Sequence, residues 1–137
     1  MEQFNNDENP YRDKSIEELR FNLSFYKSRL TLLTKELEFF KQLLDSNSFD
    51  PKTLNLFEKV TLFKKQIDIN LKKTSKLAIV IERQHNEVQL KIECDELSCD
   101  DYFVRKNNEI ELDVVNFLTQ TAKLKSEIME YLEGLII

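Results

Sequence analysis

From Lys52 to Leu97 the chain runs without a single glycine or proline. Within that stretch one residue in every three or four falls on a common stripe: Leu56, Val60, Phe63, Ile67, Leu71, Thr74, Ala78, Ile81, His85, Val88 and Ile92. Breaker-free length combined with a 3.6-residue period constrains the segment to one long helix with a buried face. Its opening is marked by Asp50 as N-cap and Pro51 at the first helical position, where a missing N–H costs nothing. Phe49 and Leu54 stand at the two positions of a hydrophobic staple. The doubled step of four from Phe63 to Leu71 is a stutter that locally unwinds a supercoil. The run Leu77-Ala78-Ile79-Val80-Ile81 has strand-like composition, but charged helix formers flank it. We read it as helix buried on several sides.

Two further helices flank this one. Ser15 and Glu18 form a capping box, and Ile16, Leu19, Leu23, Tyr26, Leu30, Leu33, Leu37, Phe40 and Leu44 follow in unbroken steps of three and four. That is the seam of a coiled coil. Ser98 and Asp101 repeat the cap, with Leu97 and Tyr102 as the staple, ahead of Phe103, Asn107, Ile110, Val114, Phe117, Thr121, Leu124, Ile128, Tyr131 and Leu135. Both helices carry a second stripe beside the seam. On the first it is Phe25, Leu32 and Phe39, with Leu43 bridging the two; on the third it is Val115, Leu118, Ala122, Met129, Leu132 and Ile136. A stripe wider than a seam implies packing against two neighbours.

The expected fold is therefore all-α: an elongated, antiparallel, up-down-up three-helix coiled-coil bundle, with helices over about 15–45, 51–97 and 99–135. Residues 1–14, polar and Asn/Asp-rich, read as a flexible tail ahead of one helical domain, 15–137. With turns centred near Ser48 and Ser98, both Ile16 and Val115 fall level with about residues 80–81. This register predicts a three-helix body over 16–82 and 114–137. Beyond it a two-helix arm, residues 83–113, would project roughly 22 Å and need cover from the tail, a second copy or another protein. The same register places Thr74 beside Thr121 as a hydrogen-bonded layer, and His85 near Asn107.

Composition enters where function is concerned. A net charge of −5 gives the molecule no general attraction for nucleic acid or anionic lipid. Lys59, Lys64, Lys65, Lys72, Lys73 and Lys76 concentrate positive charge on the middle helix, with Lys65, Lys72 and Lys76 pointing away from the stripe. Apart from Phe63, which belongs to the core stripe, no aromatic residue interleaves with them as a stacking platform would require, so they read as a solvated face. No apolar run approaches the roughly 18 residues of a membrane span, and residues 1–7 lack the basic and apolar regions of a secretory signal. The two cysteines, Cys94 and Cys99, are too few for a disulfide framework, so a reducing cytoplasmic setting is the expectation. Their Cys-x4-Cys spacing lies outside the usual zinc range, and no second ligand pair follows. The acids from Glu93 to Asp101 read as a solvated corner that also suits a helix N-terminus.

No nucleophile elbow, phosphate loop or dinucleotide fingerprint is present. The reading is a non-enzymatic structural or protein–protein interaction module, without metal or cofactor, that self-associates or binds a helical partner. The expected contact residues are His85, Val88, Ile92, Phe103, Asn107 and Ile110 of the arm, with Leu135 and Ile136 of the apolar end. The alternative is a small ligand- or metal-binding bundle completed by dimerisation, with His85, Cys94 and Cys99 near the shared arm.

Overall fold

A computed structural model describes residues 16–46, 55–94 and 100–134. Among the described residues the structure is three α-helices with no strand: α1 (Ile16–Leu44), α2 (Leu56–Cys94) and α3 (Asp100–Glu133). The expected tail 1–14, the capping boxes' Ser15 and Ser98, the Phe49/Asp50/Pro51 start of the middle helix and the tip 95–99 lie outside the described residues. α2 begins at Leu56 rather than residue 51. Ahead of it Asn55 takes a left-handed backbone (φ 61°) and its carbonyl accepts the first helical bond from Lys59 N at 3.0 Å. Asn is among the few residues that tolerate this conformation.

The register between helices follows from side-chain pairs. Lys27 pairs with Glu82, Lys41 with Asp68 and Asp45 with Lys64. Fourteen residues up α1 match fourteen down α2, so these helices run in opposite directions. Asn22 donates to Glu111 at 3.0 Å and Lys125 pairs with Glu36 at 2.6 Å. Here fourteen residues up one helix match fourteen up the other, so α1 and α3 run the same way. Exposed ion pairs of this kind contribute about 0–1 kcal/mol each. They report the register rather than create it.

The core creates it. Leu23, Leu30, Leu33, Leu37, Phe40 and Leu44 of α1 are buried against Phe63, Ile67, Ile81 and Val88 of α2 and Ile110, Val114, Phe117, Leu124, Ile128 and Leu132 of α3, and Leu19 is buried as well. Each such side chain contributes about 1.5–3 kcal/mol on leaving water. Spacings of three and four keep these residues on one face of each helix.

This register corrects the expected arm. The α1–α2 pairs place Ile16 level with residue 93 of α2, not residue 80. The pairs across α1 and α3 place it level with about residue 105. α1 thus lies beside residues 83–93 and 105–113, and no two-helix arm is formed there. Asn107, expected on the arm, donates to the Leu19 carbonyl of α1 at 3.3 Å. The cause is the first connection: centring the turn at Ser48 assumed flush helix ends, whereas Leu44 stands opposite residue 65. α2 therefore begins nine residues beyond the end of α1.

Three packing expectations also change. Of the strand-like run only Ile81 is buried; Ile79 and Val80 face outward, because both of α2's neighbours lie on one side of it. Thr74 and Thr121 are buried but do not bond each other. The Thr74 hydroxyl donates to the Asn70 carbonyl at 2.7 Å and that of Thr121 to Phe117 at 3.0 Å. Each is satisfied by its own helix one turn back, so neither fixes alignment. Of the second stripes, Phe25, Leu32 and Phe39 of α1 and Val115, Ala122 and Met129 of α3 are exposed, whereas Leu132 is buried.

Candidate functional site

On α1, Leu23, Leu30, Leu37 and Leu44 alternate with Leu19, Tyr26, Leu33 and Phe40 in the seam. Asn22, Arg29, Glu36 and Leu43 flank it on the side toward α3, as the Asn22–Glu111 and Glu36–Lys125 pairs show. One step farther out on that side come Phe25, Leu32 and Phe39, which keep 45%, 51% and 57% of their surface exposed. On α3 the matching outer row is Val115, Ala122 and Met129. Val115 is 43% and Met129 51% exposed, and Ala122 is exposed between them.

The two rows meet. Phe39 and Met129 line one surface groove with Lys35, Glu36, Phe40 and Lys125. Leu32 and Phe25 lie one and two heptads before Phe39, and Ala122 and Val115 one and two heptads before Met129. At the constant α1–α3 offset Leu32 stands level with Ala122 and Phe25 with Val115, and Leu32 itself also lines a separate hollow on α1 with Ser24, Lys27, Ser28, Thr31 and Lys35. The result is an apolar ribbon about 21 Å long at 1.5 Å per residue. Leu43 and Leu118 are half-buried against the core.

Charged and polar groups run between the two rows, where Asn22 meets Glu111 and Glu36 meets Lys125. The Arg29 guanidinium lies 5.9 Å from the centre of the Phe25 ring, a cation–π arrangement that holds it beside the ribbon. Lys125 and Glu36 bridge the groove floor. Tyr26, edge-on to Phe25 at 5.3 Å, has its phenol pKa raised by burial and by the neighbouring Glu111 carboxylate, and so stays neutral. Covering the five half-exposed large side chains would contribute about 1 kcal/mol each, or roughly 5 kcal/mol per ribbon. Exposed apolar residues scattered singly are ordinary on any protein surface, and these five instead fall in two adjacent rows.

Three of the eight residues expected to meet a partner lie in the core. Val88, Asn107 and Ile110 are core residues of the three-helix packing, with 0%, 0% and 4% exposure. They are already occupied by α1. His85 and Phe103 are half-buried. The Ile92 side chain, Leu135 and Ile136 lie outside the described residues. The polar partner of Asn107 is not His85 but Gln84, whose Nε2 donates to Asn107 Oδ1 at 2.9 Å. Steps of three then four or of four then three both lead from Ile81 to Val88, so spacing alone did not separate Gln84 from His85. The chemistry favours Gln84, since a carboxamide offers donors and an acceptor to the facing carboxamide.

Lys65, Lys72, Lys73 and Lys76 are exposed on the outer side of α2. Among the described residues no group of three His, Cys, Asp or Glu side chains is placed to hold a metal ion, and no helix is long and apolar enough to cross a membrane. No protein-family model, curated protein or solved structure matches this chain.

Proposed function

We propose that the chain is a non-enzymatic helical interaction module whose working face is the α1–α3 ribbon. The observation that supports this is the ribbon itself: Phe25, Leu32, Phe39, Val115 and Met129, five of the fourteen large apolar side chains exposed among the described residues, fall in two rows level with one another on α1 and α3. Two parallel helices with an apolar groove between them fit a helical partner laid along the groove, its own apolar face anchored at heptad spacing. The arm and the chain's apolar end give way to this face as the proposed contact region. Val88, Asn107 and Ile110 would have to leave the core to reach a partner.

A photo-crosslinking amino acid placed at position 32 of the full chain, in the cells that make it, tests the reading. Position 73, on the outer side of α2, serves as the control. The proposal expects protein adducts from position 32 and none above background from position 73. Equal, background-level labelling at both positions would remove the ribbon as a working face.

A further inference from the structure

We infer that the outer face of α2 docks on an anionic membrane surface, the helix lying along the phosphate layer without crossing the bilayer. This face turns away from the ribbon and uses none of its residues. Its midline runs Leu62, Lys65, Ile69, Lys72, Lys76, Ile79 and Arg83, in unbroken steps of three and four. The core stripe of Phe63, Ile67, Thr74 and Ile81 follows the same period on the opposite side of the helix. All seven outer side chains are exposed, because both neighbours of α2 lie against its core side. Four are cations and three are aliphatic, spread over about 32 Å at 1.5 Å per residue. Among the described residues none of the four cations is in an ion pair. Asp68 and Glu82, the acids beside the midline, are held by Lys41 and Lys27 of α1 instead. Glu58 and Glu87 close the midline at its two ends.

Cations and aliphatic groups mixed along one line suit a surface that is acidic, flat and soft. Leu62, Ile69 and Ile79 enter the headgroup layer, while the lysine stems lie along it and their ammonium groups stay at the phosphates. Four basic residues on an amphipathic helix are enough to favour phosphatidylserine-rich surfaces, at about fivefold in partitioning for each. A docked protein helix would instead bury the midline. It would take Lys65, Lys72, Lys76 and Arg83 out of water at positions that a seam reserves for apolar residues. A nucleic acid would leave the aliphatic groups between the cations without a use, and no aromatic side chain stands on the midline for a base to stack on. The chain's net charge of −5 is carried by the rest of the molecule. Charges on the far side of a bundle about 20 Å thick are screened, since the Debye length is about 8 Å at physiological salt.

The test sediments the full chain with vesicles of equal parts phosphatidylserine and phosphatidylcholine at physiological salt. The chain should pellet with these vesicles and stay in solution with vesicles of phosphatidylcholine alone. Lys72→Gln combined with Lys76→Gln should weaken the binding at least tenfold. Arg105→Gln combined with Lys123→Gln, the same charge change on α3, should leave it unaltered. All four positions are exposed, so both variants should keep their helices, which circular dichroism verifies. No loss from the α2 pair, or an equal loss from both pairs, would overturn the docking. So would equal pelleting with both kinds of vesicle, or none with either. A DNA duplex of random sequence bound as tightly as the anionic vesicles would assign the midline to nucleic acid and overturn the membrane. Protein adducts from a photo-crosslinker at position 73, beside the midline, would assign the face to a protein and overturn it too. The ribbon is read separately, by labelling from position 32.

Discussion

Gln84 and Asn107 face each other in the core, Nε2 to Oδ1 at 2.9 Å, and Asn107 passes its own N–H on to the Leu19 carbonyl at 3.3 Å. Gln84, Asn107 and the Leu19 backbone therefore tie all three helices at one level. Neither amide is accessible to solvent beyond 2%, so water cannot replace the bond between them if it is lost. Asn107→Leu should destabilise the fold by about 1–3 kcal/mol, because it leaves Gln84 buried with weakened pairing. The double variant Gln84→Leu, Asn107→Leu should recover most of that loss. A double-mutant cycle in urea measures both, and additive losses would show that the pair is not coupled.

Neighbouring leucines on α1 should behave oppositely. Leu33 is 2% exposed and Leu32 51% exposed. Leu33→Ala should cost about 2–5 kcal/mol, the range for a core cavity. Leu32→Ala should cost well under 1 kcal/mol of fold stability, as surface substitutions do. Denaturant midpoints of the two variants give the comparison.

The Lys27 ammonium beside Glu82 holds that carboxyl below its usual range, by a hydrogen bond first and by charge second. The ionised form is the one the fold favours. The pair's contribution is therefore present above the ordinary carboxylate pKa and is lost as pH falls through the lowered folded value. Glu82→Gln should match the parent at low pH and fall slightly below it near neutrality. Raising the salt concentration should shrink the difference, since both groups are half exposed. A difference that grows on acidification would contradict this assignment.

Tyr131 packs edge-on against Phe63 at 5.5 Å, and its buried hydroxyl has no hydrogen-bond partner among the described residues. Burial raises its pKa, as it does for Tyr26. A raised folded pKa means stability that is complete below the ordinary tyrosine value and is lost as pH rises through the folded one. The parent should lose stability on the alkaline side, and Tyr131→Phe should lose less. At neutral pH Tyr131→Phe should be neutral or stabilising, by up to about 1 kcal/mol. Thermal melts from pH 7 to 11 provide the measurement.

Much of this fold was legible in the sequence, because helix seams depend on local spacing. Leu19 to Leu44 on α1 and Ile110 to Ile128 on α3 were all readable from steps of three and four. The relative height of the helices was not. It depends on a connection whose path no periodicity encodes, and an error of thirteen residues there created an arm that α1 covers. The candidate site suffered from the same cause. Phe25, Leu32, Phe39, Val115 and Met129 were recognised as a second stripe, but width alone implies a neighbour without saying whether it lies in the same chain. Three helices leave both rows open on one side, which only the assembled bundle reveals.

Photo-crosslinking from position 32 of the full chain, with position 73 as the control and far-ultraviolet circular dichroism to show that both variants keep their helices, tests the ribbon most directly. The expected result is protein adducts from position 32, whether to another protein or to a second 16.4 kDa chain, and none above background from position 73. Equal, background-level labelling at both positions would contradict the ribbon as a working face.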